Sequence, residues 1–235
     1  MVGKLVFVAT AGMIGAVTFL TLGVALSGRN WDDTSSLWGA MQSTCQPAAS
    51  PHQQITLPVI TSDSLVIDLP ASVLYQPGET AEAIVTGDPA LVDHVRIEGG
   101  RLSLDCDPGW LPTRLDVRLS GPTITDWKVL GSGDLALRQI HQSQLRVIVR
   151  GRGRVDASGA VDTVGLDISG SATARLKNLV AQSAQIRVRG SGDVEMTAMV
   201  DADVSVSGSG TVALSGHPVV RSSEIRGRGR IVQLP

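Results

Sequence analysis

Aromatic side chains are scarce in this sequence. Four Trp, two Phe and one Tyr make up 3% of 235 residues, while 43% are hydrophobic, mostly Val, Leu, Ile and Ala. Rings usually fill a large globular centre, whereas aliphatic residues alone suit narrow, repeated layers. A chain of this length can bury one sizeable core or an elongated stack of small ones. An excess of positive charge is missing as well: 20 basic residues stand against 22 acidic ones, for a net charge of −2. That excludes a strongly basic nucleic-acid binder, so no nucleic acid is expected as a partner. Lysine occurs only at Lys4, Lys128 and Lys177, none of which joins an acidic cluster. A lyase built on a basic residue beside a calcium-holding carboxylate group therefore lacks its parts. The chain also has no Gly-x-Ser-x-Gly, and His52, His94, His141 and His217 are scattered. No nucleophile motif, cofactor motif or metal-ligand spacing emerges.

Only two cysteines occur, Cys45 and Cys106. A single disulfide is the simplest arrangement in an oxidising compartment, and two separate reduced thiols are the other reading. Charge disappears altogether from Leu5 to Ser27, a run of 23 residues behind Lys4. As a helix this run is ~34 Å long at ~1.5 Å per residue, enough for a hydrocarbon core of ~30 Å. Ala25-Leu26-Ser27 before Gly28 is an acceptable cleavage site, so residues 1–28 read as a signal peptide or as an uncleaved membrane anchor. Both readings place the remainder outside the cytoplasm, on the periplasmic face of the inner membrane or secreted to the cell surface. Residues 29–54 read as a linker, with a short helix near Asp33–Gln42 that Pro47 and Pro51 end. Trp31 and Trp38 fit a membrane interface or a contact with the following domain.

What the chain does have is alternation and repetition. From residue 55 onward, "SLVIDLP", "AEAIVTG", "HVRIEGG", "RLSLDCD" and "TRLDVRLSG" place apolar residues two apart, as half-buried strands do. From Leu130 a phrase recurs: "LGSGDLAL", "VRGRGRVDA", "ISGSATARL", "VRGSGDVEM", "VSGSGTVAL", "IRGRGRIVQ". Its first glycines are Gly131, Gly151, Gly170, Gly190, Gly208 and Gly227, spaced 20, 19, 20, 18 and 19 apart. A fixed period near 19 residues signals a solenoid whose units bury their apolar faces on one another. Val129, Val149, Ile168, Val188, Val206 and Ile225 stand two before the glycine. Leu135, Val155, Ala174, Val194, Val212 and Ile231 stand four after it. These even offsets are expected to face inward, together with both glycines of a Gly-x-Gly bend that leaves no room for a side chain. The expected fold is all-β: a single-stranded parallel β-helix over residues 55–235. No helix follows the glycines to form a phosphate loop, and a calcium β-roll needs a nine-residue period.

These residues resemble the head GIN domain family of exported bacterial proteins, described as "putative auto-transporter adhesin". The likeness rests on "GSGDLAL", "GSGDVEM" and "GSGTVAL" and on "AEAIVTGDPALVDHVRIEGGRLSLD" ahead of them. It covers residues 55–234 and implies a β-helical exported domain, with no catalytic residues to carry over. Gly-Arg-Gly at Arg152 and Arg228 replaces the family's Gly-Ser-Gly.

The odd offsets face solvent and carry the candidate site. Arg150, Arg152 and Arg154 mark the second coil, Arg187 and Arg189 the fourth, and Arg226, Arg228 and Arg230 the sixth. Ser169, Ser171, Thr173 and Ser207, Ser209, Thr211 occupy the coils between. One reading is solenoid design, because the alternation keeps like charges off adjacent rungs. The other is a basic, hydroxyl-lined face for an acidic polysaccharide or another envelope component. Catalysis has a weaker basis. Asp134 and Asp193 lie three coils apart, ~14 Å at ~4.8 Å per coil, beyond glycosidase spacing. Asp193 and Glu195 are near enough but lack a flanking aromatic platform. The expectation is a non-enzymatic envelope module of adhesion or glycan-binding type, with a structural scaffold as alternative and a polysaccharide-active β-helix enzyme as the remaining one.

Overall fold

The computed structural model describes residues 44–46, 52–59, 62–109 and 115–234. Residues 1–28, the helix expected near Asp33–Gln42, and Trp31 and Trp38 lie outside the described residues. Among the described residues no helix is long and apolar enough to cross a membrane. Those from Cys45 to Asp107 and from Leu115 to Leu234 pack as one compact unit.

The unit is built of strands. In its leading part these are β1 (Gln54–Pro58), β2 (Ser64–Asp68), β3 (Ala71–Pro77), β4 (Glu82–Gly87), β5 (Val95–Glu98), β6 (Arg101–Leu104), β7 (Leu115–Gly121) and β8 (Asp126–Gly131). The repeat follows as β9 (Asp134–Gly151), β10 (Arg154–Gly170), β11 (Thr173–Gly190), β12 (Asp193–Gly208), β13 (Thr211–Ser215), β14 (Val219–Gly227) and β15 (Arg230–Gln233). One short helix, α1 (Pro89–Val92), interrupts them. The alternation rule passes over it because one turn buries too little to leave a period. Local chemistry makes it: the Asp88 carboxylate accepts the Ala90 N–H at 2.9 Å, and Pro89 opens the turn.

From β8 onward the chain is the expected parallel solenoid. Strands β9, β10, β11 and β12 lie in parallel register, and Gly131, Gly151, Gly170, Gly190, Gly208 and Gly227 fall opposite one another in turn. Rungs therefore advance by ~4.8 Å, one strand spacing. The inward columns are dry. Val129, Val149, Ile168, Val188 and Val206 are at most 1% exposed, and so are Leu135, Val155, Ala174, Val194 and Val212. Each column stacks aliphatic on aliphatic, so every rung removes apolar surface from both neighbours, at ~25 cal/mol per Å². The ring-poor composition follows from this narrow interior. Tyr75 and Trp127 pack together in the leading rungs at 4.9 Å between centroids, both fully buried. The Tyr75 hydroxyl donates to the Pro122 carbonyl at 2.7 Å and the Trp127 indole to that of Ile124 at 3.2 Å. Neither ring buries its polar handle unpaired.

The leading part departs from a pure parallel helix. β4 runs antiparallel to both β1 and β7, and β5 antiparallel to β6, while β3 sits parallel between β7 and β9. Period-2 alternation is the same for parallel and antiparallel strands, so the sequence pattern cannot separate them. The outermost strand β1 ends in Pro58, which removes one edge donor.

Two register details differ from expectation. The second glycine of the bend is buried, at Gly133, Gly153, Gly192 and Gly210, but the first is half-exposed at Gly151, Gly170, Gly190 and Gly208. What forbids a side chain at the first position is the rung behind it. At Gly208, with φ of +132°, a Cβ would collide with the Gly190 carbonyl oxygen. That same oxygen accepts the Ser209 N–H at 2.8 Å. The other detail is the final rung, where Ile225 is 45% exposed and Ile231 half-buried because the described strands cover them from one side only.

Replacing Gly208 by Val combines that collision with a β-branched residue at positive φ, so we expect a loss of about 2 kcal/mol or more. Ser209→Val, on an exposed corner, is expected to stay within ~0.5 kcal/mol of the parent. Thermal denaturation of the pair checks this, and equal shifts in Tm would overturn the corner assignment.

Candidate functional site: the outer face of the stacked rungs

The bend divides the outward side chains into rows. Before it, the register sets Arg150, Ser169, Arg189, Ser207 and Arg226 side by side on consecutive rungs. At its tip stand Arg152 and Arg228, whose N–H groups donate to Gly131 and Gly208 of the preceding rungs at 2.9 and 2.8 Å. After it come Ser72, Asp134, Arg154, Thr173, Asp193, Thr211 and Arg230. In the row before the bend, the alternation of arginine with hydroxyl is therefore physical, rung against rung.

The face is less basic than the arginines alone imply. Arg189 meets Asp167 at 3.3 Å, and Arg226 meets Glu224 at 2.6 Å. In the row after the bend, Asp134 lies beside Arg154, whose backbone N–H donates to its carboxylate at 3.1 Å. Among the described residues, Arg150, Arg152, Arg228 and Arg230 form no ion pair. Arg187 stands opposite Asp167 and Ser205. The register sets Asp193 between Thr173 and Thr211, and Glu195 opposite Arg175. The described aromatics Tyr75 and Trp127 are in the core, so neither provides a platform beside them.

One feature escaped the sequence. Where β7, β3, β9 and β10 lie side by side, a surface groove of about 550 Å³ opens. Ser72 and Ala136 floor it with short side chains, while Asp116 and Arg118 flank one side and Arg154 and Asp156 the other. Its charges are mixed. Nothing local signals it, because β3 is placed between two strands distant in sequence. Only the short side chains of Ser72 and Ala136, which the register sets in two neighbouring rows, hint at a depression.

The other candidate residues belong to a clasp at the leading end. Cys45 and Cys106 are disulfide-bonded, with Cα atoms 5.2 Å apart. Beside the bridge, His94 uses both ring nitrogens: Nε2 faces the Gln46 carbonyl at 2.9 Å and Nδ1 the Asp105 carboxylate at 2.6 Å. Both partners are acceptors, so the arrangement calls for the imidazolium. The Gln46 carbonyl first, and then Asp105, push the His94 pKa up. Arg96 holds the second Asp105 oxygen at 2.6 Å. Nearby, His52 gives Asp93 both a ring contact at 2.8 Å and its backbone N–H at 3.2 Å, which lowers the Asp93 pKa. His94, Asp105 and Cys106 bring three metal-type donors within 4.8 Å of one another, but the Cys106 sulfur is in the disulfide and supplies no thiolate.

The fold and face together define a parallel β-solenoid with a charged outer surface. Residues 63–218 match the family "Putative auto-transporter adhesin, head GIN domain", and the chain belongs to that family. Among solved structures it is similar to a "putative adhesin" from Bacteroides fragilis at 18% identity, with a TM-score of 0.60, covering 80% of this chain and 99% of that one. It is also similar to a "putative adhesin" from Parabacteroides merdae at 12% identity, with a TM-score of 0.48, covering 77% and 95%. A third likeness is to a "Putative lipid binding protein" from Parabacteroides distasonis at 16% identity, with a TM-score of 0.46, covering 80% and 98%. No curated protein matches the chain.

The clasp makes two predictions. The bridge closes a loop of 61 residues, worth about 4 kcal/mol in the chain-entropy account. Alkylation of protein purified without reductant and then denatured is expected to label neither cysteine, and labelling of both would remove the bridge. Because the pKa of folded His94 lies above its unfolded value of ~6.5, its contribution is complete below that pH. It disappears as pH rises through the folded pKa. The Tm gap between the parent and His94→Gln should thus be widest in mild acid and narrow as pH rises; a gap independent of pH would contradict the imidazolium.

Proposed function

We propose that this protein is a non-enzymatic, exported adhesion module that holds an acidic polysaccharide, or another anionic envelope polymer, along its arginine rows. The observation that carries this reading is the register of Arg150, Arg189 and Arg226 on every second rung, beside the corner residues Arg152 and Arg228. Every second rung means a repeat of ~9.6 Å, so a polymer lying along the solenoid axis meets the same cation at regular intervals. Arg150, Arg152, Arg228 and Arg230 form no ion pair among the described residues, which leaves their planar forks open to carboxylates, sulfates or phosphates. Such exposed contacts are weak singly and screened beyond ~8 Å at physiological salt, so affinity comes from their number. Membership of an adhesin-type family supports holding over turnover, and the charge-free run of residues 5–27 supports export to the envelope, as an anchor or a signal peptide. A purely structural scaffold is the competing reading.

Binding to acidic and neutral polysaccharides at two salt concentrations tests it, with parent and an Arg152→Ser/Arg154→Ser/Arg228→Ser variant. We expect the parent to prefer the acidic polymer and to weaken with salt, and the variant to lose at least tenfold in affinity. Unchanged affinity in the variant, or equal binding to neutral polymer, would return the module to the scaffold reading.

A further inference from the structure

Among the described residues, the rung of β14 and β15 is covered on one side only. Strand β14 pairs with β12, and its burial pattern is exposed at every position but one. Ile225 continues the column of Val149, Ile168, Val188 and Val206, yet it is 45% exposed. Val219, Val232 and Leu234 of the same rung are 68%, 41% and 43% exposed. The edge of β14 away from β12, which no described strand pairs, also has a defined hydrogen-bond phase. Arg228 donates its N–H backward to Gly208. Because backbone direction alternates along a strand, Arg226 and Glu224 also turn backward, while Ser223, Ile225 and Gly227 turn their N–H and C=O groups to the open side.

We propose that this edge pairs antiparallel with the same edge of a second copy of the chain, about a two-fold axis through Ile225. The pattern of charge selects both the occupant and the register. An axis at Ile225 sets Ile225 against its own copy as a hydrogen-bonded pair and Ser223 against Gly227 as the next. It sets Glu224 against Arg226 of the second copy, twice, at the non-hydrogen-bonded positions where side chains approach most closely. The neighbouring registers in phase do worse: an axis at Glu224 opposes two carboxylates, one at Arg226 opposes two guanidinium groups, and one at Ser223 opposes Ile225 to Arg221. Arg221 is already held by Asp201 of the rung below at 2.6 Å. Glu224 and Arg226 pair within their own strand, 2.6 Å apart, and are exposed enough to exchange partners. The contact is isologous and closes at two copies. It gives Ile225 the neighbour that its column supplies in every earlier rung. It also sets two arginine faces end to end, although the inference does not depend on what those faces bind.

The test uses the full chain in mild detergent. A hydrogen-bonded antiparallel pair holds its Cα atoms ~5.5 Å apart, within disulfide reach. Ile225→Cys is therefore expected to form cross-linked dimers under mild oxidation at least fivefold more than Val219→Cys. Adding Glu224→Arg to Ile225→Cys should abolish that excess, and adding Arg226→Glu as well should restore it. The last comparison keeps composition constant and touches only exposed residues, so it separates pairing from folding. Cross-linking no greater than at Val219, a charge exchange that fails to restore it, or parent protein sedimenting as a monomer or as longer head-to-tail stacks would each overturn the proposal.

Discussion

Close approach of backbone to backbone at the bends is the constraint on which the rest of this structure depends. Each rung turns where the carbonyl oxygen of one corner glycine lies in the space that a Cβ on the next would occupy. The oxygen instead accepts an N–H from the following corner, as Gly190 does from Ser209. Repeated from Gly131 to Gly227, this contact locks the register of every rung, because slipping by one residue would bring a side chain into the bend and turn the apolar set outward. The aliphatic columns and the outward rows are consequences of that lock.

A register fixed at the bend makes the outer face a lattice. Side chains at one offset recur at one strand spacing, so a one-residue choice in sequence becomes a row in space. Arginine on alternate rungs with serine or threonine between them avoids stacking like charges, and the same arrangement gives a regularly spaced set of donors. These two properties do not compete, which explains how a scaffold of this kind can acquire a binding role without altering its core. The groove floored by Ser72 and Ala136 shows the other way of shaping the face, by shortening side chains where non-sequential strands adjoin.

The two ends of the unit are treated differently. At the leading end an antiparallel edge, the Tyr75–Trp127 pair, the disulfide and the His94 contacts all serve to close a stack that cannot cap itself. At the other end the apolar column stops at Ile225 with its edge groups unpaired by any described strand. The proposed edge pairing rests on this asymmetry.

Strand content, the period, the inward columns and the outward position of all eight candidate arginines were legible in the sequence. Each follows from local rules: alternation sets the face, and a glycine at constant spacing sets the turn. Other features depend on which distant segments become neighbours. Alternation is identical for both strand directions, so the antiparallel leading strands were invisible. The insertion of β3 between β7 and β9, and with it the groove, joins segments that no sequence window contains. The same holds for the neutralisation of Arg189 by Asp167, 22 residues earlier, and for the contact of His94 with Gln46, 48 residues before it. The reason the corners need glycine also lay in the tertiary structure, since the obstructing atom belongs to the previous rung. The sequence by itself determined a repeating unit and its two faces; only the stacking of rungs decided what each side chain meets, because in a solenoid the nearest neighbours in space are one full turn away along the chain.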